Sequence, residues 1–329
     1  MTKDGIRWGI VGTGKIATSF AEDLRHARGA ELVAVASRSE ESARAFAGRF
    51  QVPRWHASYE AMAEDPQVDV AYIATPNTQH YSNSALFIRA GKAVLCEKPF
   101  TLNAIEAQEL IELARQRGLF LMEAMWTRFL PSIGVLRQLL EEGALGEVRM
   151  LAADFGKRFR FDPTSRLFAP ELGGGALLDL GVYPVSLASL VFGPPERIHC
   201  MASMGETGVD EQEGILFGYA GGRQAVLYAS MQVTTPDEAT ILGTRGYLRI
   251  HSPMHAPHRI TVFAEDGKEH SHEHPIRGNG LHYQVLEVMR CLREGARESE
   301  QMRLDESLGV MKTMDAVRAE WGLRYPSER

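Results

Sequence analysis

An apolar run that breaks into glycines and passes straight into a helical pattern constrains this chain more than any other feature. Ile6-Arg7-Trp8-Gly9-Ile10-Val11 has the make-up of a buried strand, Gly12-Thr13-Gly14 interrupts it, and Ile16, Ala17, Phe20 and Leu24 recur at helical spacing. Each glycine has a task if this strand–turn–helix holds a dinucleotide. Gly12 permits the tight turn, and Gly14 keeps no side chain between the backbone and a pyrophosphate. The helix behind it offers free N–H groups and a positive dipole end to the phosphates. Ala17 is the small third residue that lets helix and strand pack closely. Thr13, Lys15 and Ile16 complete the expected phosphate-binding stretch.

A glycine-rich turn alone need bind nothing, so its weight comes from the strands and helices beyond it. Glu31–Ser37 reads as a strand, Ser39–Phe50 as a helix, and Val68–Thr75 as a strand ending in Pro76-Asn77. Helical spacing runs on to Ala90, where Gly91 stops it, and Ala93–Glu97 is a further strand. Thr101 or Asn103 then caps a helix that reaches Arg117 and ends at Gly118, before a strand over Leu119–Met125. This alternation predicts a doubly wound parallel sheet of Rossmann type over residues 1–124, with ligands beyond the carboxyl ends of its strands. Those ends are Gly12, Arg38, Pro76, Lys98 and Trp126.

The pattern changes after residue 125. A helix over Phe129–Glu142 is followed by strand signals at 147–155, 196–204, 212–220, 223–233, 239–251 and 258–264. One helical stretch, Gly175–Phe192, interrupts them, and two more, at 281–294 and 305–320, close the chain. A mainly antiparallel, open-sheet α+β domain over residues 125–329 is the expectation.

The second strand ends in Ser37-Arg38-Ser39. In NAD sites a carboxylate about 20 residues beyond the glycines usually holds the ribose 2′-hydroxyl. A hydroxyl and a guanidinium suit a 2′-phosphate instead, so NADP is expected ahead of NAD. The formal net charge of −6, with no basic block, argues against nucleic acid and anionic membrane surfaces as partners. The three cysteines, Cys96, Cys200 and Cys291, follow neither a metal nor a disulfide spacing. No apolar stretch is expected to reach the ~18 residues of a membrane span, and the first strand begins too early for a signal peptide. These features predict a cytoplasmic protein.

Taken together, the residues resemble the Gfo/Idh/MocA oxidoreductases. The shared pattern runs Gly12-x-Gly14-x-x-Ala17, Ser37-Arg38, Ala74-Thr75-Pro76-Asn77-x-x-His80, Glu97-Lys98-Pro99 and Met125-Trp126-x-Arg128-Phe129. It ends in Gly173-Gly174-Gly175-Ala176-Leu177-Leu178-Asp179-x-Gly181-x-Tyr183-Pro184. That last block is most similar to the dihydrodiol and aldose dehydrogenase branch, whereas many members carry His where this chain has Tyr183. The three glycines that open it follow no strand and read as a flexible loop.

The resemblance implies that Thr75, Pro76, Asn77, His80, Glu97 and Lys98 join the cofactor site, and that Lys98, Asp179 and Tyr183 surround the nicotinamide. It implies Tyr183 as acid/base, Lys98 as its electrostatic partner or alternative proton carrier, and Asp179 as the orienting carboxylate. A phenol near pKa ~10 needs a neighbouring cation to act as a base at neutral pH. Trp126 and Arg128 are implied beside cofactor and substrate. Phe155, Arg158 and Phe168 are candidate walls of the substrate side. The implied function is NADP-dependent hydride exchange with a hydroxyl or carbonyl of a sugar or cyclic trans-diol, in a homodimer or higher homo-oligomer built through the open sheet. Two other readings are a nicotinamide-dependent glycosidase, against which Tyr183 stands, and a non-catalytic NADP sensor, which has no use for Lys98, Asp179 and Tyr183. His251, His255, His258, His270, His272 and His274 read as a solvated edge, and no metal is expected.

Overall fold

Parallel strands covered on both faces have to be apolar throughout, and the first half of the chain supplies such runs. In the computed structural model, which describes residues 5–328, the chain begins β1 (Ile6–Val11), α1 (Lys15–Leu24), β2 (Ala30–Ala36), α2 (Glu40–Phe50), β3 (Arg54–His56) and α3 (Tyr59–Ala63). It continues β4 (Val70–Ile73), α4 (His80–Arg89), β5 (Ala93–Glu97), α5 (Ala104–Arg117) and β6 (Leu121–Ala124). The strands form one parallel sheet in the order β3-β2-β1-β4-β5-β6. Every residue of β4, β5 and β6 is buried. Asn103, not Thr101, caps α5: its Oδ1 accepts the Glu106 N–H at 2.9 Å, and Glu106 Oε2 accepts the Leu102 N–H at 3.1 Å. The strand order reverses between β1 and β4, so the crevice of the sheet opens at the end of β1.

The second half contains α6 (Pro131–Glu141), β7 (Val148–Gly156), a π-helical turn at Leu177–Gly181, α7 (Val182–Phe192), β8 (Arg197–Met204), β9 (Asp210–Gly218) and β10 (Gln224–Ser230). Then come β11 (Ala239–Gly243), β12 (Gly246–Ile250), β13 (Arg259–Ala264), β14 (Glu269–Glu273), α8 (His282–Glu294) and α9 (Leu304–Glu320). Its eight strands run in the order β14-β13-β12-β11-β7-β10-β9-β8, antiparallel except for the β7/β10 pair. The π turn and α7 pack on β7 and β10. On the opposite face Met150, Leu216, Val226 and Tyr228 stay exposed.

Several expectations need correction. The chain divides into Met1–Phe129 with Arg277–Leu308, and Leu130–Ile276 with Gly309–Arg329, so residues 277–308 do not belong with the second half. The buried Asp23 carboxylate explains why: Oδ1 accepts the Asn279 N–H and Oδ2 the Leu281 N–H, both at 2.8 Å. The expected strand 239–251 is a hairpin, with Gly243 opposite Gly246. The short β3, α3 and β14 carry too few residues to show a period. Finally, Pro170–Phe192 is long and apolar enough to match a membrane span in length and composition. Its 78% burial within the unit identifies it as a core helix.

Candidate active site

At the carboxyl edge of the parallel sheet, Gly12 closes β1 with φ +103°, and its N–H donates to Ala36 O at 2.8 Å. A Cβ there would stand 2.7 Å from the Ala74 carbonyl oxygen, so only glycine fits between the ends of β1 and β4. Gly14 is the N-cap of α1, with no side-chain cap and no acidic residue in the first turn, and a Cβ added to it would meet nothing within 4 Å. Thr13 is half-buried, Lys15 exposed and Ile16 intermediate. An uncapped ten-residue helix facing an open glycine is a cradle that fits a dinucleotide pyrophosphate.

The neighbouring strand ends bring the other predicted residues of this unit to the same edge. Ser37 is buried and its Oγ accepts the Ser39 N–H at 3.3 Å, while Arg38 is exposed. Arg38 lies beside Tyr59, whose phenol burial pushes up and Arg38 draws back. Beyond β4, Asn83 Nδ2 donates to Thr75 Oγ1 at 3.1 Å, and Pro76 and Asn77 lead into α4. His80 is buried, with Nδ1 2.7 Å from Pro99 O and Nε2 2.9 Å from Thr75 O. The ring thus lies between two loops, where one N–H can donate to either carbonyl. Glu97 is buried: Tyr72 donates its hydroxyl to Oε1, and the Lys98 N–H donates to Oε2 at 3.2 Å. Lys98 itself is half-buried. Trp126 is buried, and Arg128, only 3% exposed, pairs through Nη2 with Glu306 Oε1 at 2.6 Å, so that arm of the expected donor fork is engaged within the protein.

Glu123 of β6 is wholly buried near Arg128, and burial pushes its carboxyl up to about 7. A raised carboxyl stabilises the fold below its unfolded value, and that contribution is lost as pH rises through the folded value. Glu123 should therefore remove about 3 kcal/mol of stability between pH ~4 and pH ~8. Denaturant unfolding across that range should show a flatter pH dependence for Glu123→Gln than for wild type; parallel curves would contradict this.

The second unit holds the remaining predicted residues. Asp179 lies in the π turn, and its Oδ1 accepts from exposed Arg166 Nη1 at 2.8 Å, a partner that the sequence did not suggest. Tyr183 begins α7 and is 7% exposed. Its ring meets Phe155 edge-on at 5.6 Å and His255 at 5.5 Å. Phe168 is buried against Phe161, whereas Arg158 is exposed, with its N–H 3.4 Å from Thr234 Oγ1. The structure thus brings Phe155 to Tyr183, but gives neither Phe168 nor Arg158 a contact with that ring. Lys98 belongs to the first unit, Asp179 and Tyr183 to the second.

Beneath the π turn lie two wholly buried acids of β9 that the sequence reading missed. Asp210 Oδ2 accepts the Leu177 N–H at 2.6 Å, and a side chain at Gly175 (φ +122°) would collide with Oδ1. A Cβ at Gly181 would stand 2.6 Å from Glu213 Oε1. Close packing, not loop flexibility, is therefore the reason for glycine at these places. Burial raises Asp210 to about 6 and Glu213 well above the carboxylate range, with Asp210 adding to the latter.

The histidines do not converge. His251 donates from Nε2 to Thr261 Oγ1 at 2.9 Å while Nδ1 accepts from Arg259 at 3.2 Å, and burial lowers its pKa. Among the described residues, no group of three or more His, Cys, Asp or Glu side chains could hold a metal ion.

Comparisons with known proteins agree with this fold. The model of the Gfo/Idh/MocA oxidoreductase family, NAD-binding Rossmann fold, matches residues 6–125, and that of the Gfo/Idh/MocA C-terminal domain matches 134–249. A trans-1,2-dihydrobenzene-1,2-diol dehydrogenase from Sus scrofa is 38% identical over 98% of this chain and 99% of its own. A 3-ketoreductase from Actinomadura kijaniata, solved with NADP and TDP-benzene, superposes with a TM-score of 0.86 at 27% identity, covering 96% of this chain and 97% of its own. A levoglucosan dehydrogenase solved with NADH and levoglucosan has the same fold, with a TM-score of 0.87 at 18% identity and 97% coverage of both chains.

Proposed function

This chain belongs to the Gfo/Idh/MocA oxidoreductase family, and we propose that it is an NADP-dependent dehydrogenase of a cyclic trans-diol or an aldose. It is an oxidoreductase acting on CH–OH groups, with a nicotinamide cofactor. The observation that carries the substrate class is 38% identity to a trans-diol dehydrogenase over 98% of the chain. Gly12, Thr13, Gly14, Lys15 and Ile16 would hold the pyrophosphate, with Thr75, Pro76, Asn77 and Glu97 shaping the loops beside it. A bound nicotinamide would supply the hydride acceptor for oxidation of the carbinol carbon and the donor for the reverse reaction. Tyr183 takes the hydroxyl proton in oxidation and returns it in reduction. Lys98 stabilises the phenolate by its charge, and Asp179, held by Arg166, orients the substrate hydroxyl. Trp126 and Phe155 supply apolar walls. The sheet face carrying Met150, Leu216, Val226 and Tyr228 suits a second copy of the chain, giving a homodimer. Three free cysteines agree with a cytoplasmic location.

NADP preference rests on Ser37 and Arg38 standing where a carboxylate would select NAD. A panel of aldoses and trans-diols, assayed with NADP and with NAD by the absorbance of the reduced cofactor, tests both statements. Arg38→Ala should raise the KM for NADP by about 10- to 100-fold, the loss of one charge-assisted hydrogen bond, and leave that for NAD nearly unchanged. Equal or better use of NAD by wild type would refute the preference.

A further inference from the structure

We propose that His255, held by Asp237, is a positioning residue for Tyr183. The inference rests on the reading of Tyr183 as the acid/base. Three rings close a triangle in the second unit: Phe155 and His255 lie parallel at 4.3 Å and 10°, and Tyr183 meets each of them at 5.6 and 5.5 Å. Two rings set at 66° and 57° to the phenol limit how far it can turn about its side-chain torsions.

A hydrophobic residue would serve if packing were all that the site required. Instead the ring is an imidazole whose Nδ1 lies 3.3 Å from Asp237 Oδ2. The two side chains are only 24% and 15% exposed, so this polar pair stands in a largely dry place. Asp237 is itself fixed by two neighbours, one of which shares a single N–H between two of its oxygens. Its Oδ1 accepts the Met254 N–H at 3.1 Å, its own N–H donates to Asp154 Oδ2 at 2.8 Å, and its carbonyl accepts the Met254 N–H at 2.9 Å. It adopts φ +56°, a left-handed conformation that a non-glycine residue holds only when its surroundings impose it. Asp154 precedes Phe155 on β7. The same strand that supplies one ring of the triangle thus anchors the backbone of Asp237, whose carboxylate stands against the other. The chain Asp154–Asp237–His255 sets the imidazole, and the imidazole with Phe155 sets the phenol.

Three variants, read by kcat at saturating substrate and by cofactor affinity from fluorescence titration, test this. His255→Phe keeps a stacking ring but loses Nδ1, and Asp237→Ala removes its partner. Each should lower kcat roughly 10- to 100-fold, as small misplacements of a reacting group do, with cofactor affinity unchanged. Asp237→Asn keeps an oxygen against Nδ1 and the links to Met254 and Asp154, and should restore kcat to within about threefold of wild type, the modest worth of the charge in a partly exposed pair. Wild-type kcat in His255→Phe would overturn the proposal, as would Asp237→Asn proving as slow as Asp237→Ala. Tyr183→Phe run in parallel separates the two claims: if that variant turns over normally, the acid/base reading is what fails.

Discussion

Tyr183→Phe should reduce turnover by about 10²- to 10⁴-fold, the usual worth of a positioned general acid–base group, and leave cofactor affinity as in wild type. The substitution is well matched to the question. Tyr183 is 7% exposed and packed against Phe155 and His255, so phenylalanine fills the same volume and keeps both ring contacts. Only the hydroxyl leaves. Its loss removes the group that receives the substrate proton in the proposed reaction, and water has little access to substitute for it. Stopped-flow and steady-state rates with a diol or aldose should both fall, and the melting temperature should stay close to wild type. In the proposed reaction Lys98 is assigned the charge that supports the phenolate, so Lys98→Met should slow the same step. A Tyr183→Phe enzyme with near-wild-type kcat and intact cofactor binding would remove tyrosine from the mechanism and leave Lys98 as the proton carrier.

The second large effect belongs to Gly12→Val. The position has φ +103°, which a β-branched residue adopts only under strain. Its Cβ would also press on the carbonyl oxygen of Ala74, a backbone atom of a residue tied to β1 by its N–H to Val11 O at 2.9 Å. The turn into α1 must then shift, carrying with it the N-terminus meant to receive the phosphates. Cofactor affinity should fall by about 100-fold or more, given that roughly 1–3 kcal/mol of backbone strain is added to the lost phosphate contacts. Circular dichroism should still report a folded protein. Wild-type affinity by fluorescence titration would mean that the Gly12 turn takes no part in binding.

How much of this was legible in the sequence depended on how local each cause was. The Gly12 turn, the cap at Thr101 or Asn103 and the Gly118 stop are each written within a few residues of sequence, and the parallel sheet comes from buried runs that alternate with helices. Asp23, in contrast, binds backbone 256 residues away at Asn279, and nothing near either residue announces the other. The same holds for Arg166 on Asp179 and for Asp237 on His255. Asp210 and Glu213 stand at the polar start of a strand, where no local pattern marks them as buried, yet both point into the core beneath the π turn. Their presence is explained only by the glycines they press against. In sequence His255 reads with its neighbouring histidines as part of a solvated edge; its aromatic neighbours and left-handed Asp237 single it out.

The central claim is that a hydrogen leaves a substrate carbinol carbon for the nicotinamide. Incubating the wild-type enzyme with oxidised NADP and a trans-diol or aldose deuterated at that carbon, then analysing the cofactor by mass spectrometry, tests it most directly. One deuterium is expected in each reduced nicotinamide recovered, with one carbonyl product formed per label transferred. Product formed with the label retained in it, or bound cofactor that stays oxidised throughout, would contradict it.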